Sequence, residues 1–208
     1  MLVVIDYGLG NHRSICSALE RLNISYELTS DNDRISLAKG LILPGVGAFP
    51  DGMRNLHRLG LVELLGELVL KRETPILGIC LGFQLMASEG YEFSRVKGLG
   101  WFNARVIRLD HEEGNVRIPH VGWNDCLRVK DSPIFFDVPE EALFYFTHSY
   151  HMECNNVEDV VAMSEHGKKF VAAAQKGRIY GTQFHPEKSQ LHGLSLLRNF
   201  ADKVVCRC

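Results

Sequence analysis

Three side chains in this sequence could together carry covalent acyl chemistry: Cys80, His185 and Glu187. Cys80 stands in Gly78-Ile-Cys-Leu-Gly82, directly after the apolar run Pro75–Ile79. A buried strand that feeds a sharp turn and then a helix, here from near Gly82, is the thiol counterpart of the nucleophile elbow. Glycines two residues to either side leave room for a tight, strained turn. The unpaired N–H groups of the following helix then lie near the sulfur and favour thiolate. An ordinary thiol is only a few per cent ionised at neutral pH, so a nucleophile needs that help. Taken alone, the segment also fits a small core cysteine between two packing glycines.

His185 and Glu187 belong to Gln183-Phe-His-Pro-Glu187, which follows a strand-like run from Arg178. Proline disfavours helical backbone at His185 and fixes its own φ. In extended backbone, residues two apart point to one side, so the imidazole and the carboxyl are neighbours through local geometry. A carboxylate on one ring nitrogen selects the tautomer whose other nitrogen can take a proton, and it stabilises the imidazolium. A surface His and Glu at a strand end is the plainer alternative. Acyl chemistry also needs oxyanion donors. The Leu81 N–H is one candidate. The other is the loop Pro44-Gly45-Val46-Gly47, which read alone is a structural turn.

The elements that must position these groups follow from periodicity. Leu2–Asp6, Ser25–Leu28, Gly40–Leu43 and Pro75–Ile79 read as strands. Ile15, Ala18, Leu19 and Leu22 form a helical stripe capped by Asn11, and Leu61, Leu64, Leu65 and Leu68 form another. Alternation of strand and helix predicts a parallel sheet with helices on both faces. The second half is richer in short strands: Asn103–Leu109, Trp123–Lys130, Leu143–Phe146, Val160–Met163, Val171–Gln175 and Arg178–Phe184, the last two joined across Lys176-Gly177. A final helix fits Gln190 to about Lys203, with Leu191, Leu194, Leu197 and Phe200 on one side. The predicted fold is therefore α/β, an open and mostly parallel sheet with antiparallel additions in the second half. No linker, repeat or low-complexity tract divides it, so residues 1–208 read as one domain. Strand C-terminal ends gather on one edge of such a sheet, where ligands bind. Cys80 and His185 both sit at such ends.

Composition narrows the function. The chain has 208 residues, 46% of them hydrophobic, and a net charge of −2, which provides no basic face for nucleic acid. No apolar run approaches the roughly 20 residues of a membrane-spanning helix. The opening Met1–Asp6 has no cationic region or small-residue cleavage site and reads as a first strand, which predicts a cytoplasmic chain. The six cysteines have no CxxC pair and no histidines at zinc spacing, so neither a metal nor a cofactor is expected.

Gly78-Ile-Cys-Leu-Gly-Phe-Gln84 with His185-Pro-Glu187 resembles the class I, triad-type glutamine amidotransferases. Asp6-Tyr-Gly-Leu-Gly-Asn11, Pro44-Gly-Val-Gly-Ala-Phe49, Gly98-Leu-Gly-Trp101, Pro119-His-Val-Gly-Trp-Asn124, Tyr145-Phe-Thr-His-Ser-Tyr150 and Gly181–Ser189 look like the family of glutaminase subunits of imidazole glycerol phosphate synthase. The resemblance covers nearly the whole chain. It implies that Cys80 attacks the side-chain amide of glutamine, that His185 protonates the leaving ammonia, and that Glu187 orients His185. It further implies that the loop at Gly45, Val46 and Gly47 supplies an oxyanion donor after a peptide reorients. Gln84, Glu92 and Ser149 match substrate-holding positions, with Glu89 a rival to Glu92. Asn11, Trp123, Tyr145 and Lys188 match an interface with a (β/α)8-barrel synthase subunit, the partner in a heterodimer that uses the ammonia for histidine biosynthesis. Trp123 and Tyr145 suit an interface as large amphipathic side chains, although core packing would also use them.

Other readings compete. Gly8-Leu-Gly10 after the first strand hints at dinucleotide binding, but the third glycine of that fingerprint would be at position 13, which is arginine. A peptidase-like cysteine hydrolase lacks the adjacent His-Pro-Glu and the Phe-Thr-His-Ser-Tyr segment. A non-catalytic regulatory subunit on the same fold would have lost the nucleophile or base, and here all three positions are filled. Within the family, a paralogue that supplies ammonia to a sugar nucleotide in surface-glycan synthesis would carry the same motifs.

Overall fold

The computed structural model describes residues 1–110 and 116–206. The chain runs β1 (Leu2–Ile5), α1 (His12–Arg21), β2 (Tyr26–Thr29), α2 (Asn32–Ser36), β3 (Gly40–Leu43), α3 (Phe49–Arg58), α4 (Leu61–Gly66), β4 (Ile76–Ile79) and α5 (Leu81–Gln84). It continues through β5 (Ala87–Gly90), β6 (Val96–Lys97), β7 (Phe102–Arg108), β8 (His120–Asp125), β9 (Leu127–Arg128), β10 (Leu143–His148) and β11 (Tyr150–Cys154). It ends with β12 (Val160–His166), β13 (Lys168–Lys176), β14 (Ile179–Thr182) and α6 (Gln190–Asn199), and π-helical turns extend α4 and α6.

Eight strands form the main sheet in the order β2-β1-β3-β4-β14-β13-β12-β9. The first five are parallel, and β13, β12 and β9 join antiparallel. A four-stranded sheet, β11-β7-β5-β6, and a two-stranded ribbon, β10-β8, complete the molecule. This is the expected mostly parallel sheet with antiparallel additions.

Strand alternation divides the core into two layers, one on each face of the sheet. Leu2, Val4, Ile42, Leu77 and Ile79 pack against Ile15, Ala18 and Leu19 of α1 and Leu196 and Leu197 of α6. Val3, Ile5, Leu41, Leu43 and Ile76 pack against Phe49, Met53 and Leu56 of α3 and Leu61 and Leu65 of α4. Successive strand residues face opposite sides, so strands buried on both faces are apolar throughout. The ribbon lies over the first layer, where Phe144 stacks on Phe184 with centroids 4.2 Å apart.

Three expectations need correction. The run Trp123–Lys130 is two strands rather than one: β8 starts earlier and pairs with β10, and β9 pairs with β12. Leu191 is 70% exposed; of the predicted stripe Leu194 packs against the core and Leu197 and Phe200 are buried, joined there by Gly193 and Leu196. The ten-residue helix α3 is absent from the periodicity reading because Pro50 and Gly52 fall inside it, although proline is well tolerated at a helix start.

The turn at β4–α5 depends on one close approach. A Cβ on Gly82 would lie 1.9 Å from the Leu43 carbonyl oxygen, a backbone atom that cannot swing away. Gly66 has helical backbone and open space around it. Gly82→Ala should therefore lower the unfolding free energy by about 1–3 kcal/mol, read by urea denaturation. Gly66→Ala should raise it by about 0.4–1 kcal/mol.

Candidate active site

Cys80 occupies the turn after β4 with φ 53° and ψ −108°, a left-handed backbone that a non-glycine residue adopts only under constraint. The constraint comes from both sides. The Cys80 N–H donates to Thr182 O at 2.8 Å, which extends the β4–β14 pairing, and the Cys80 carbonyl accepts the Gln84 N–H at 3.0 Å in the first turn of α5. The side chain is nearly buried and forms part of the wall of a cavity of about 330 Å³.

His185 follows β14 on the neighbouring strand. Its N–H donates to Tyr145 O at 2.9 Å, and its carbonyl accepts the Ser189 hydroxyl at 2.6 Å. That hydroxyl in turn accepts the Tyr145 N–H at 2.9 Å, so the loop carrying His185 is clamped to β10. Nδ1 donates to Glu187 Oε1 at 2.8 Å, and both side chains are buried, at 2% and 1% exposure. The His185–Glu187 contact is as the sequence predicts, but its backbone is not: only His185 is extended, and Pro186–Lys188 form a 3-10 turn that brings the carboxylate onto the ring. Nε2 has no well-formed hydrogen bond; its influential neighbour is Cys80. Burial pulls the imidazole pKa down, but the charge and bonding of Cys80 and Glu187 outweigh it and hold the group up at about 10. An imidazolium is the state of His185 that this arrangement stabilises.

The candidate oxyanion groups stand in a specific relation. The Leu81 N–H points at Gly45 O, 3.4 Å away, so the loop offers that donor a carbonyl rather than a second N–H. Gly45 has no room for a side chain, because a Cβ would meet the Tyr7 hydroxyl at 2.5 Å and Gly82 N at 2.8 Å. Val46 and Gly47 line the cavity. Gln84, Glu92 and Ser149 line it as well. Glu92 also accepts the Phe49 N–H at 2.8 Å and so caps α3, whose own first residues provide no side-chain cap. Glu89 instead bonds Tyr91 and Arg95 and is absent from the cavity wall.

Among the four candidate interface residues, three form one surface cluster. Trp123 and Tyr145 are paired across the ribbon with ring centroids 6.1 Å apart, and the Lys188 ammonium lies 5.7 Å from the Tyr145 ring. Asn11 is exposed and caps α1 through the Ser14 N–H at 3.4 Å.

Sequence reasoning did not single out several wall groups: Thr147, whose carbonyl lies 4.0 Å from the Cys80 sulfur, Pro119, Tyr150 and His148. His148 donates from Nδ1 to Tyr150 O at 2.9 Å and meets His120 Nδ1 with its Nε2 at 3.1 Å. His120 stacks on His166 at 4.1 Å. Burial pushes His148 down to about 3, and burial, with His166 second, pushes His120 down to about 4. The only local hint of this was the doubled histidine motif itself, Pro119-His and Thr147-His.

A family model described as glutamine amidotransferase class-I matches residues 3–204. The imidazole glycerol phosphate synthase subunit HisH 1 of Campylobacter jejuni is 44% identical over 201 residues, 97% of this chain and 99% of that protein. The subunit HisH of Leptospira interrogans is 36% identical over 203 residues, 97% and 99% of the two chains. Among solved structures, one described as a glutamine amidotransferase superposes with a TM-score of 0.72 at 19% identity, covering 99% of this chain and 98% of the other. The Trypanosoma brucei CTPS glutaminase domain with bound acivicin gives 0.65 at 16% identity, covering 99% and 93%. At these identities the structures establish the fold.

The neutral histidines make stability depend on pH. In the unfolded chain His148 binds its proton near about 6.5, and in the folded chain only near about 3. The unfolded state therefore holds more protons between those values, and stability falls as pH drops through that window, by at most about 1.4 kcal/mol per pH unit for this group. His185 has the opposite sign: its contribution is present below about 6.5 and is lost as pH rises toward about 10. The thermal midpoint should be highest near neutrality and decline on the acid side, and His148→Gln should flatten the acid limb.

Proposed function

The chain belongs to the class-I glutamine amidotransferases, and from that premise we propose that Cys80, His185 and Glu187 hydrolyse glutamine to glutamate and ammonia. The observation that carries the reading is the strained Cys80 at the cavity wall, beside an imidazole locked to a buried carboxylate at 2.8 Å. The Cys80 thiolate attacks the side-chain carbonyl carbon of glutamine, and the C–N bond breaks as His185 gives its Nε2 proton to the leaving nitrogen. Water then adds to the glutamyl thioester, its proton passing to His185, and the C–S bond breaks to release glutamate and return the thiolate. Glu187 holds the ring in one orientation throughout. Gln84, Glu92 and Ser149 hold the substrate's polar ends in the cavity. No metal or cofactor enters any step.

The Gly45 carbonyl on the Leu81 N–H supports a resting state with an incomplete oxyanion hole. Turning the Gly45–Val46 peptide would free the first donor and bring an N–H into place as the second. We assign Trp123, Tyr145, Lys188 and Asn11 to docking of a (β/α)8-barrel synthase subunit, which would receive the ammonia and make imidazole glycerol phosphate for histidine biosynthesis. Tyr145 suits a coupling role, since its backbone bonds both His185 and Ser189. Two hydrophobic layers flanking one sheet support a single domain over residues 1–208. No helix among the described residues is long and apolar enough to cross a membrane, and the biosynthetic role suits the cytoplasm.

Cys80→Ala should abolish glutamine-dependent synthesis by the complex and leave ammonia-dependent synthesis largely intact. Equal loss of both would contradict ammonia delivery. In a histidine auxotroph lacking its own glutaminase subunit, the wild-type chain should restore growth on low ammonia and Cys80→Ala should fail to do so. The isolated chain should hydrolyse glutamine about a hundred- to a thousandfold more slowly than the complex with synthase ligand bound, because a missing oxyanion donor is worth about 2.7–4 kcal/mol. Full activity of the isolated chain would contradict the coupled loop.

A further inference from the structure

Gln183 belongs to no role assigned so far, yet it is fully buried and touches the reacting atom. Its side-chain Nε2 lies 3.6 Å from the Cys80 sulfur, its Oε1 lies 3.0 Å from Gln84 Nε2, and its own N–H is tied to Ala172 O on β13 at 2.8 Å. We propose that Gln183 is a catalytic residue of this site, a fixed amide donor to the Cys80 sulfur that stabilises the thiolate. The proposal rests on Cys80 being the nucleophile, as argued above.

The direction of the amide follows from its partners. Tyr150 O is a backbone carbonyl and can only accept. The Gln84 atom 2.8 Å from it must therefore be nitrogen. That same nitrogen faces the Gln183 side chain, which must present its oxygen. Reversing Gln84 would oppose two oxygens at Tyr150, and reversing Gln183 alone would oppose two nitrogens. The remaining end of Gln183, its NH₂, is left for the sulfur.

Such a donor does something His185 cannot. The imidazolium stabilises the thiolate only while it holds its proton, and it gives that proton up in the first half of the reaction. An amide does not titrate near neutral pH, so its N–H stays directed at the sulfur when the thiolate attacks and when it leaves. Bonds to a charged acceptor are stronger than neutral ones, and a thiolate acceptor draws full benefit in a buried site. The other groups facing the sulfur are His185 after β14, Tyr7 after β1 and the Thr147 carbonyl on β10, with Glu92 elsewhere on the cavity wall. Of these, the Thr147 carbonyl and a carboxylate oppose negative charge. The Tyr7 phenol carries no charge near neutral pH, its pKa raised by burial and then by Cys80.

The test is the pH dependence of Cys80 alkylation by iodoacetamide, followed on the Cys80 peptide of the full chain in complex with its partner. Gln183→Met, which keeps the bulk and removes the donor, should raise the alkylation midpoint by about one to two pH units. It should lower kcat for glutamine about tenfold or more while KM changes far less. Gln183→Glu keeps an acceptor for Gln84 and sets a carboxylate oxygen against the sulfur, so its midpoint should rise further. If Gln183 merely holds Gln84, Gln183→Met should raise KM alone and Gln183→Glu should alkylate like wild type; either result overturns the proposal. Cys80→Ala separates the two layers: retained glutamine hydrolysis would sink the nucleophile assignment, whereas an inert Cys80→Ala with unshifted Gln183 variants would sink this one alone. Should neither variant fold, the side-chain amide resonance of Gln183 in wild type must move with the Cys80 titration. A resonance blind to it refutes the donor role.

Discussion

The site depends on the parallel pairing of β4 with β14. Ile79 is in register with Thr182, and the Cys80 N–H carries the ladder one step beyond the strand to Thr182 O. Parallel neighbours end on the same edge of a sheet, so this one register fixes how far the turn after β4 stands from the loop after β14. β3 lies on the other side of β4 and ends at Pro44-Gly45. Three adjacent strand ends thus present the Gly45–Gly47 loop, Cys80 and His185 in spatial order, although they lie far apart in sequence. A one-residue slip between β4 and β14 would turn the His185 side toward the opposite layer, and no local adjustment of side chains could restore the group.

Legibility in the sequence followed the range of the interactions. Gly40–Leu43 was readable to the residue and the elbow at Cys80 in kind, because each is dictated by backbone rules acting over a few positions; the His185–Glu187 contact was readable too, although a 3-10 turn rather than extended backbone makes it. The last helix was readable as an element, and Leu194, Leu197 and Phe200 of its predicted stripe do meet the core, but its first residue, Leu191, does not. At that end of the helix contact with Pro186 selects the face carrying Gly193, where a Cβ would meet Pro186 O at 1.9 Å, and turns Leu191 outward. Helix α3 was hidden by Pro50 and Gly52, which are breakers only in a helix interior, and its missing cap comes from Glu92, 43 residues away. Gln183 stood inside a recognised motif without a visible role, since its partners are a sulfur and an amide about a hundred residues earlier in the chain.

The polar interior has a common origin in the Tyr150 carbonyl. It accepts from Gln84 Nε2 at 2.8 Å and from His148 Nδ1 at 2.9 Å, one bond for each lone pair. From the first bond, donor and acceptor alternate through Gln183 to the sulfur. From the second they alternate through His148 Nε2 to His120, whose far nitrogen meets the Asn124 amide at 3.4 Å, and Asn124 continues to Glu165 O at 2.7 Å. The second chain runs along the inner face of the ribbon whose outer face carries Trp123 and Tyr145.

That chain tolerates only neutral histidines. A proton added to His148 would make Nε2 a donor facing the donor Nδ1 of His120, leaving two buried N–H groups opposed at 3.1 Å. Burial, which pushes His148 down to about 3, is therefore what keeps the direction of the bonds single-valued through the range in which an enzyme works. Two histidines on the two sides of β10 thus have opposite requirements within one fold. His185 is held charged by carboxylate and sulfur, and His148 is held neutral by burial that those charges do not offset. The wall between them is β10, whose Tyr145 carbonyl binds the loop of the first and whose last residue is the second. A shift of that strand would disturb both imidazoles together, since it holds the loop of the first and carries the second.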